Sequence, residues 1–478
     1  MRPQLIIECG GRVLSALLVT ADGELVPCSQ EIRQVATRYV SADVLFEPRV
    51  IQDRDFIWRD ALETLSKSSA ADFFQRARRI GLRRPWDAQA SVGALQLRSP
   101  WTVLSSPAAL TDRVAGSILP GVGLALLDAL LDAAFAFVTE RGYLPGDVDP
   151  VIVLPAQTGS RARLVVRKLV RRRGFRGLTI VRREIAAAMS LANRRPCTCI
   201  VVETSETDLH LYRVEIDGDA RRPRFRTTVS ATIPGLGWNH WSAQIAWALG
   251  TSPSAAFERS LTTLLSGSPD SLPQSLTHGV LQRVLDATWM SAHSVRERLQ
   301  EHLDRLGGEK LPMILAGEIF MIDAVRRLFG SSTTVAPAID HLLRNVAAAM
   351  RSPFLVAAGG SLRVNTLHGE AVELLAFPQL PAPGEAGLVD SDFRLGGDCA
   401  AGTPLLVQLQ WGADQAPEGN TTLCAVPLEL RGQEHLRLSV HLRRTNSGRR
   451  LNGTLEVRMP PDVVVGRARF AEELEMER

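Results

Sequence analysis

No glycine–lysine pair occurs anywhere in the 478 residues, which excludes a Walker-type phosphate loop. The stretch GVGLAL lacks the third glycine of a dinucleotide fingerprint and sits inside a helix-like run. There is no G-x-S-x-G elbow and no H-E-x-x-H, so the commonest serine-hydrolase and zinc-protease signatures are missing. The six cysteines (Cys9, Cys28, Cys197, Cys199, Cys399, Cys424) are scattered, and a single C-x-C is a poor zinc signature. They read as free thiols of a reducing compartment. The nine histidines show no i, i+4 pairing, so no metal site is expected. A long apolar run is also lacking: Val114 to Val138 comes nearest, and Pro120, Asp128 and Asp132 interrupt it. An acidic residue and two glycines follow too soon after Met1 for a signal-peptide core. A cytoplasmic chain with no membrane partner is the expectation. The net charge of +4 is small for this length and by itself calls for no nucleic-acid partner.

What is present is ordinary globular composition, 45% hydrophobic and 22% charged, over a length that suggests two to three domains. Residues 4–20 predict a hairpin, two apolar strands about a glycine turn. Residues 59–83 and 121–141 carry helical spacing. VIVLP at 151–155 is a short buried strand, followed by a helix over 160–173, a strand at 179–181, a helix at 184–193 and a strand at 199–203. Strands alternating with helices mean an α/β domain. A second hairpin at 199–233 suggests two hairpin-plus-helix halves, and 311–350 continues as a strand and two helices. Proline and glycine crowd residues 361–395, which read as a linker. Alternating runs such as PLLVQLQW and HLRLSVHLRR then predict a small β domain over 396–478.

Within residues 4–350 an ordered set of segments resembles the nucleotide-binding domain of DnaK-type heat-shock chaperones, members of the actin-like ATPase superfamily. The fullest stretch is 151–192, where Leu154-Pro155-Ala156 and Glu184-Ile185-Ala186-Ala187-Ala188 hold the places of the family's Val-Pro-Ala and Asn-Glu-Pro-Thr-Ala-Ala-Ala. The opening hairpin resembles the first phosphate loop, and residues 58–81 resemble the segment bearing the family's catalytic lysine. IPGLGW (233–238) resembles the Leu-Gly-Gly-Glu stretch. AAFERSLTTLLS (255–266) resembles the adenine-contacting helix, and LPMILAGE (311–318) the final glycine loop.

The resemblance implies a two-lobed, RNase H-like α/β domain over 1–360, followed by a lidless counterpart of the family's peptide-binding β domain. It implies ATP with magnesium as ligands, held by glycine turns and acidic residues. Carried over by position, the acids are Glu8, Glu184 and Glu203, and the nucleotide-contacting residues are Gly10, Gly11, Arg12, Gly235, Gly237, Glu258 and Gly317. The departures fall on the same places. The lysine position is Ala77, and the second phosphate loop reads Glu203-Thr204-Ser205-Glu206-Thr207 without a glycine. The partner of Gly317 is Ala316.

The expectation is therefore a hydrolysis-deficient, chaperone-like adaptor that binds a protein partner or client polypeptide. A working ATP-dependent chaperone is the alternative. A second alternative is a nucleic-acid-associated factor using the basic run that includes Arg161, Arg163, Arg167, Lys168 and Arg171, although no aromatics interleave it for base stacking. Trp238, Trp241 and Trp247, at helical spacing, read as packing residues.

Overall fold

The computed structural model describes residues 2–8, 15–27, 131, 134–156, 158, 160–191, 196–205, 208–218, 222–251, 261, 293–307, 311–321, 325–326, 329, 333–336, 339–350, 354–357, 361–365, 372–376, 379–394, 404–412, 420–429, 435–459 and 461–477. The helices expected at 59–83 and over the first part of 121–141 lie outside these residues; 134–140 is helical.

Strands β1 (Gln4–Glu8), β2 (Ser15–Val19), β3 (Leu25–Pro27), β4 (Asp149–Leu154) and β5 (Thr179–Arg182) form a first sheet in the order β3-β2-β1-β4-β5. β1 runs antiparallel to β2 and parallel to β4, and β4 is parallel to β5. Helix α1 (Ser160–Arg172) crosses from β4 to β5, and α2 (Arg183–Ala188) follows β5 directly. β1 reads QLIIE and is buried at all five positions, as a central strand covered on both faces must be.

The second sheet repeats the plan. Its strands β6 (Cys197–Thr204), β7 (Asp208–Gly218), β8 (Pro223–Pro234), β9 (Met313–Ala316) and β10 (Thr333–Ala336) stand in the order β10-β9-β6-β7-β8. β6–β7–β8 is an antiparallel meander, while β9 is parallel to β6 and β10 to β9. The order and directions match those of the first sheet, so the second hairpin expected at 199–233 opens a second copy of one topology. Helices α3 (Trp238–Ala248), α4 (His293–Arg305) and α5 (Ile339–Ala349) accompany it. The 311–350 segment carries a further strand, β10, between the two expected helices; Thr333–Ala336 is too short to show a period of two.

Period-two alternation sorts the two sheets into layers. Leu5 and Ile7 of β1 pack with Val166, Leu169 and Val170 of α1. Ile6, on the other face, joins a core with α2, α5 and one face of the second sheet, including Cys199, Val201 and Ile314. Ile200 and Val202 look the opposite way, onto Trp238, Trp241 and Leu299. The sequence of layers is helix, sheet, helix, sheet, helix, with α2 and α5 in the middle one.

Beyond α5, β11 (Leu355–Ala357) extends the second sheet parallel to β8. Strands β12 (Ser361–Asn365), β13 (Val372–Ala376) and β14 (Ala386–Arg394) occupy the stretch that proline and glycine marked as a linker. The prolines fall between these strands, and two of the three run on sheet edges, where proline is tolerated. With β15 (Pro404–Gly412), β16 (Thr421–Glu429), β17 (His435–Arg444), β18 (Arg450–Met459) and β19 (Val463–Glu473) they make two four-stranded sheets, β13-β12-β15-β16 and β14-β17-β18-β19. Alternate residues such as Leu405, Val407, Leu409 and Leu436, Leu438, Val440 fill one core between them. The final strand, β20 (Glu475–Glu477), leaves this sandwich and pairs antiparallel with β11. Among the described residues no helix is long and apolar enough to cross a membrane.

Candidate functional site

Strand polarity decides where chemistry can gather. β1, β4 and β5 in the first sheet, and β6 and β9 in the second, present their carboxyl ends, the usual place for ligands in open α/β sheets. Glu8 ends β1 on the same face as Ile6, and Glu203 nearly ends β6 on the same face as Val201. Both therefore project into the middle layer. Glu184, the second residue of α2, meets them there and is buried.

The three carboxyls anticipated from sequence do converge, but they converge on an arginine. Arg183 is 2% exposed, and its Nη2 lies 2.9 Å from Glu8 Oε1 while its Nη1 lies 3.6 Å from Glu203 Oε1. Arg182 takes the neighbouring acid: its Nε is 2.9 Å from Glu184 Oε1, and its Nη2 donates to Thr227 Oγ1 of β8 at 3.1 Å. The Thr227 hydroxyl in turn donates to Glu184 Oε1 at 3.2 Å. Arg183 closes the basic run that begins at Arg161, yet it faces carboxyls inside the fold. The available signal was its position: it directly follows a buried strand and directly precedes an acid already assigned to the interior.

Two guanidinium groups face three carboxyls, and burial penalises any net charge. The imbalance is resolved at Glu203. Burial pushes its carboxyl up to about 8, helped by repulsion from Glu184 and Glu8 and opposed by Arg183 and by the Ala156 backbone N–H. At pH 7 Glu203 holds its proton, so its longer contact with Arg183 joins a cation to a neutral acid, and the full ion pair is Arg183–Glu8. On the adjacent strand, in register with Glu203, His210 is buried with Nδ1 3.1 Å from Thr232 Oγ1. Burial holds it neutral down to about 4, against the pull of Asp208.

No protein-family model matches the chain, and no curated protein matches its sequence. Among solved structures it is similar to the crystal structure of MreB5 of Spiroplasma citri bound to ADP. The TM-score is 0.37 and the identity 12%, over 73% of this chain and 95% of that chain. So loose a likeness assigns nothing to the site, whose chemistry stands on its own distances and burial.

A magnesium ion suits this arrangement poorly. The acids lie around a permanent guanidinium charge, and a divalent cation in the same shell would face it directly. Among the described residues no group of three or more His, Cys, Asp or Glu is arranged to hold a metal ion.

The glycines carried over from the resemblance divide into two groups. Gly10, Gly11 and Arg12, with Glu258, Ala77 and the Glu206-Thr207 pair, lie outside the described residues. Gly235, Gly237 and Gly317 border the end of β6. Gly317 follows β9 at φ +146°, where a Cβ would stand 3.0 Å from Thr204 Oγ1. Gly235 turns at φ +76°, and Gly237 caps α3, whose Trp238 N–H donates to Ser205 O at 2.9 Å.

The basic helix is only partly at the surface. Arg163 is half-buried and ion-pairs with Glu472 of β19, which leaves Lys168 and Arg171 exposed on α1; the Arg161 side chain is not among those described. Of the tryptophans, Trp238 and Trp241 are core residues as predicted, but Trp247 is 60% exposed.

Proposed function

We propose that this chain is a non-hydrolysing, actin-like and heat-shock-chaperone-like scaffold that binds protein partners, its two repeated α/β sheets serving as platform and its β sandwich as binding module. One observation carries the reading: Arg183 is built into the acid cluster where the chaperone resemblance implies a metal-bound nucleotide. A guanidinium tethered to the backbone neutralises Glu8 permanently and cannot leave, so the acids do not organise magnesium or a water for attack on a phosphoryl group. The ordered segments of 4–350, the repeated strand order and the glycines retained around the end of β6 support the actin-like half of the reading. The missing glycines at 203–207 and Ala77 in place of a lysine support the loss of hydrolysis.

The test is ATP turnover and calorimetric binding of ATP with magnesium on purified protein. Turnover at the buffer background is expected. ATPase activity that is abolished by Glu184→Gln or Glu203→Gln would refute the proposal in favour of a working chaperone ATPase.

A further inference from the structure

The far edge of the second sheet holds a short strand whose partners spell out a recognition pattern. Three strands lie in register there. Arg224, Leu355 and Glu477 form one row, Phe225, Val356 and Met476 the next, and Arg226, Ala357 and Glu475 the third. In the middle row Phe225 and Val356 are buried in the core of the middle layer. The outer rows begin at arginines on β8 and end at glutamates on β20. Two strand spacings, about 10 Å, separate those backbones, comparable with the screening length of roughly 8–10 Å at moderate salt. Arg226 already binds Glu215 through Nη2 at 2.6 Å, while Arg224 has no ion pair of that kind among the described residues; the Nε of each is buried without a hydrogen-bond partner among them. The main chain of β11 supplies the ladder, the middle row takes an apolar residue, and the arginine rows favour acids on either side of it.

We propose that the outer edge of β11 is a strand-acceptor site for an extended partner polypeptide of acidic–apolar–acidic alternation, and that residues 475–477 are its tethered occupant. A partner segment enters antiparallel to β11 and displaces β20. This rests on the sheet edge and not on the acid cluster, so it stands or falls separately from the loss of hydrolysis.

The probe is a fluorescein-labelled peptide of residues 472–478, EELEMER, followed by anisotropy. A chain ending at Leu474 should bind it. The intact chain should bind at least about tenfold more weakly, because a tethered strand competes at an effective concentration of roughly millimolar. Reversing the charges to KKLKMKR should weaken binding by about tenfold and Arg224→Gln by about threefold, and added salt should lessen both effects. Should the shortened chain fail to fold, Met476→Asp in the full chain opens the same seat. The proposal is overturned if a folded variant of either kind takes up no peptide, or if it binds the reversed peptide equally well. It is also overturned if the intact chain instead doubles its mass on concentration while ignoring free peptide, since the occupant would then be a second copy.

Discussion

Replacing Arg183 with methionine tests the acid cluster most directly, because methionine keeps much of the volume and removes the charge. Arg183 is 2% exposed and Glu8 0%, so water cannot take over the lost interaction. Breaking a buried pair in this way costs about 3–5 kcal/mol, since the surviving carboxylate is left uncompensated. Unfolding entropy is about 2 cal/mol/K per residue, which over roughly 350 residues gives about 0.7 kcal/mol/K and a fall in Tm of about 4–7 °C. The loss should depend on pH in a defined sense. Without the guanidinium, burial at Glu8 disfavours a carboxylate over a neutral carboxyl, so the cost of folding grows with the charge that higher pH would place there. The deficit should be largest near pH 8 and shrink toward pH 5. Circular-dichroism melts at both pH values measure it, with Glu8→Gln added in the methionine background to recover part of the loss. A Tm within about 1 °C of the parent at pH 8, or an equal deficit at both pH values, refutes the ion-pair account.

Glu203 gives a linkage of the same sign in the parent protein: its carboxyl titrates near 8 when folded and near 4.5 when free, so stability falls as pH rises between them. Glu203→Gln should flatten the melting profile across that window, and an unchanged slope would count against a protonated Glu203. His210 has the opposite sign, being neutral down to about 4 when folded and taking a proton near 6.5 when unfolded. Stability should fall as pH drops from 6.5 through 4, and His210→Gln should lessen that acid sensitivity in urea midpoints. Gly317→Ala places a Cβ at φ +146° against Thr204 Oγ1 and should cost about 1–3 kcal/mol by chemical denaturation. A variant as stable as the parent would mean that the loop after β9 relaxes freely.

How much of this was legible depended on whether the controlling interaction was local. The hairpin at 4–20, the β4–α1–β5 run and the meander from 199 announce themselves by local period, and the structure has them within a few residues of where the spacing predicts. Glu8, Glu184 and Glu203 could be grouped only through the ordered resemblance, because 194 residues lie between the first and the last. Arg183 escaped because charge runs look alike in sequence whether a side chain meets water or a carboxylate across a sheet boundary. Residues 361–395 misled for a related reason. Proline and glycine mark chain reversals, and in an antiparallel sandwich reversals are frequent enough to resemble a linker. β20 was hidden altogether: three residues, two of them glutamate, carry no strand signal, and only the register with β11 makes them one.

The repeated strand order gives the buried guanidinium one more meaning. Glu8 ends, and Glu203 nearly ends, the corresponding first strands of two copies of the same five-strand plan, so a single side chain clasps equivalent places in both. A chain severed between residues 191 and 196 would leave the arginine with one half and one of its two acids with the other. It would also split the apolar core that α2 and α5 fill. Such fragments should be insoluble when expressed alone and should reconstitute when expressed together, like the two parts of a split reporter.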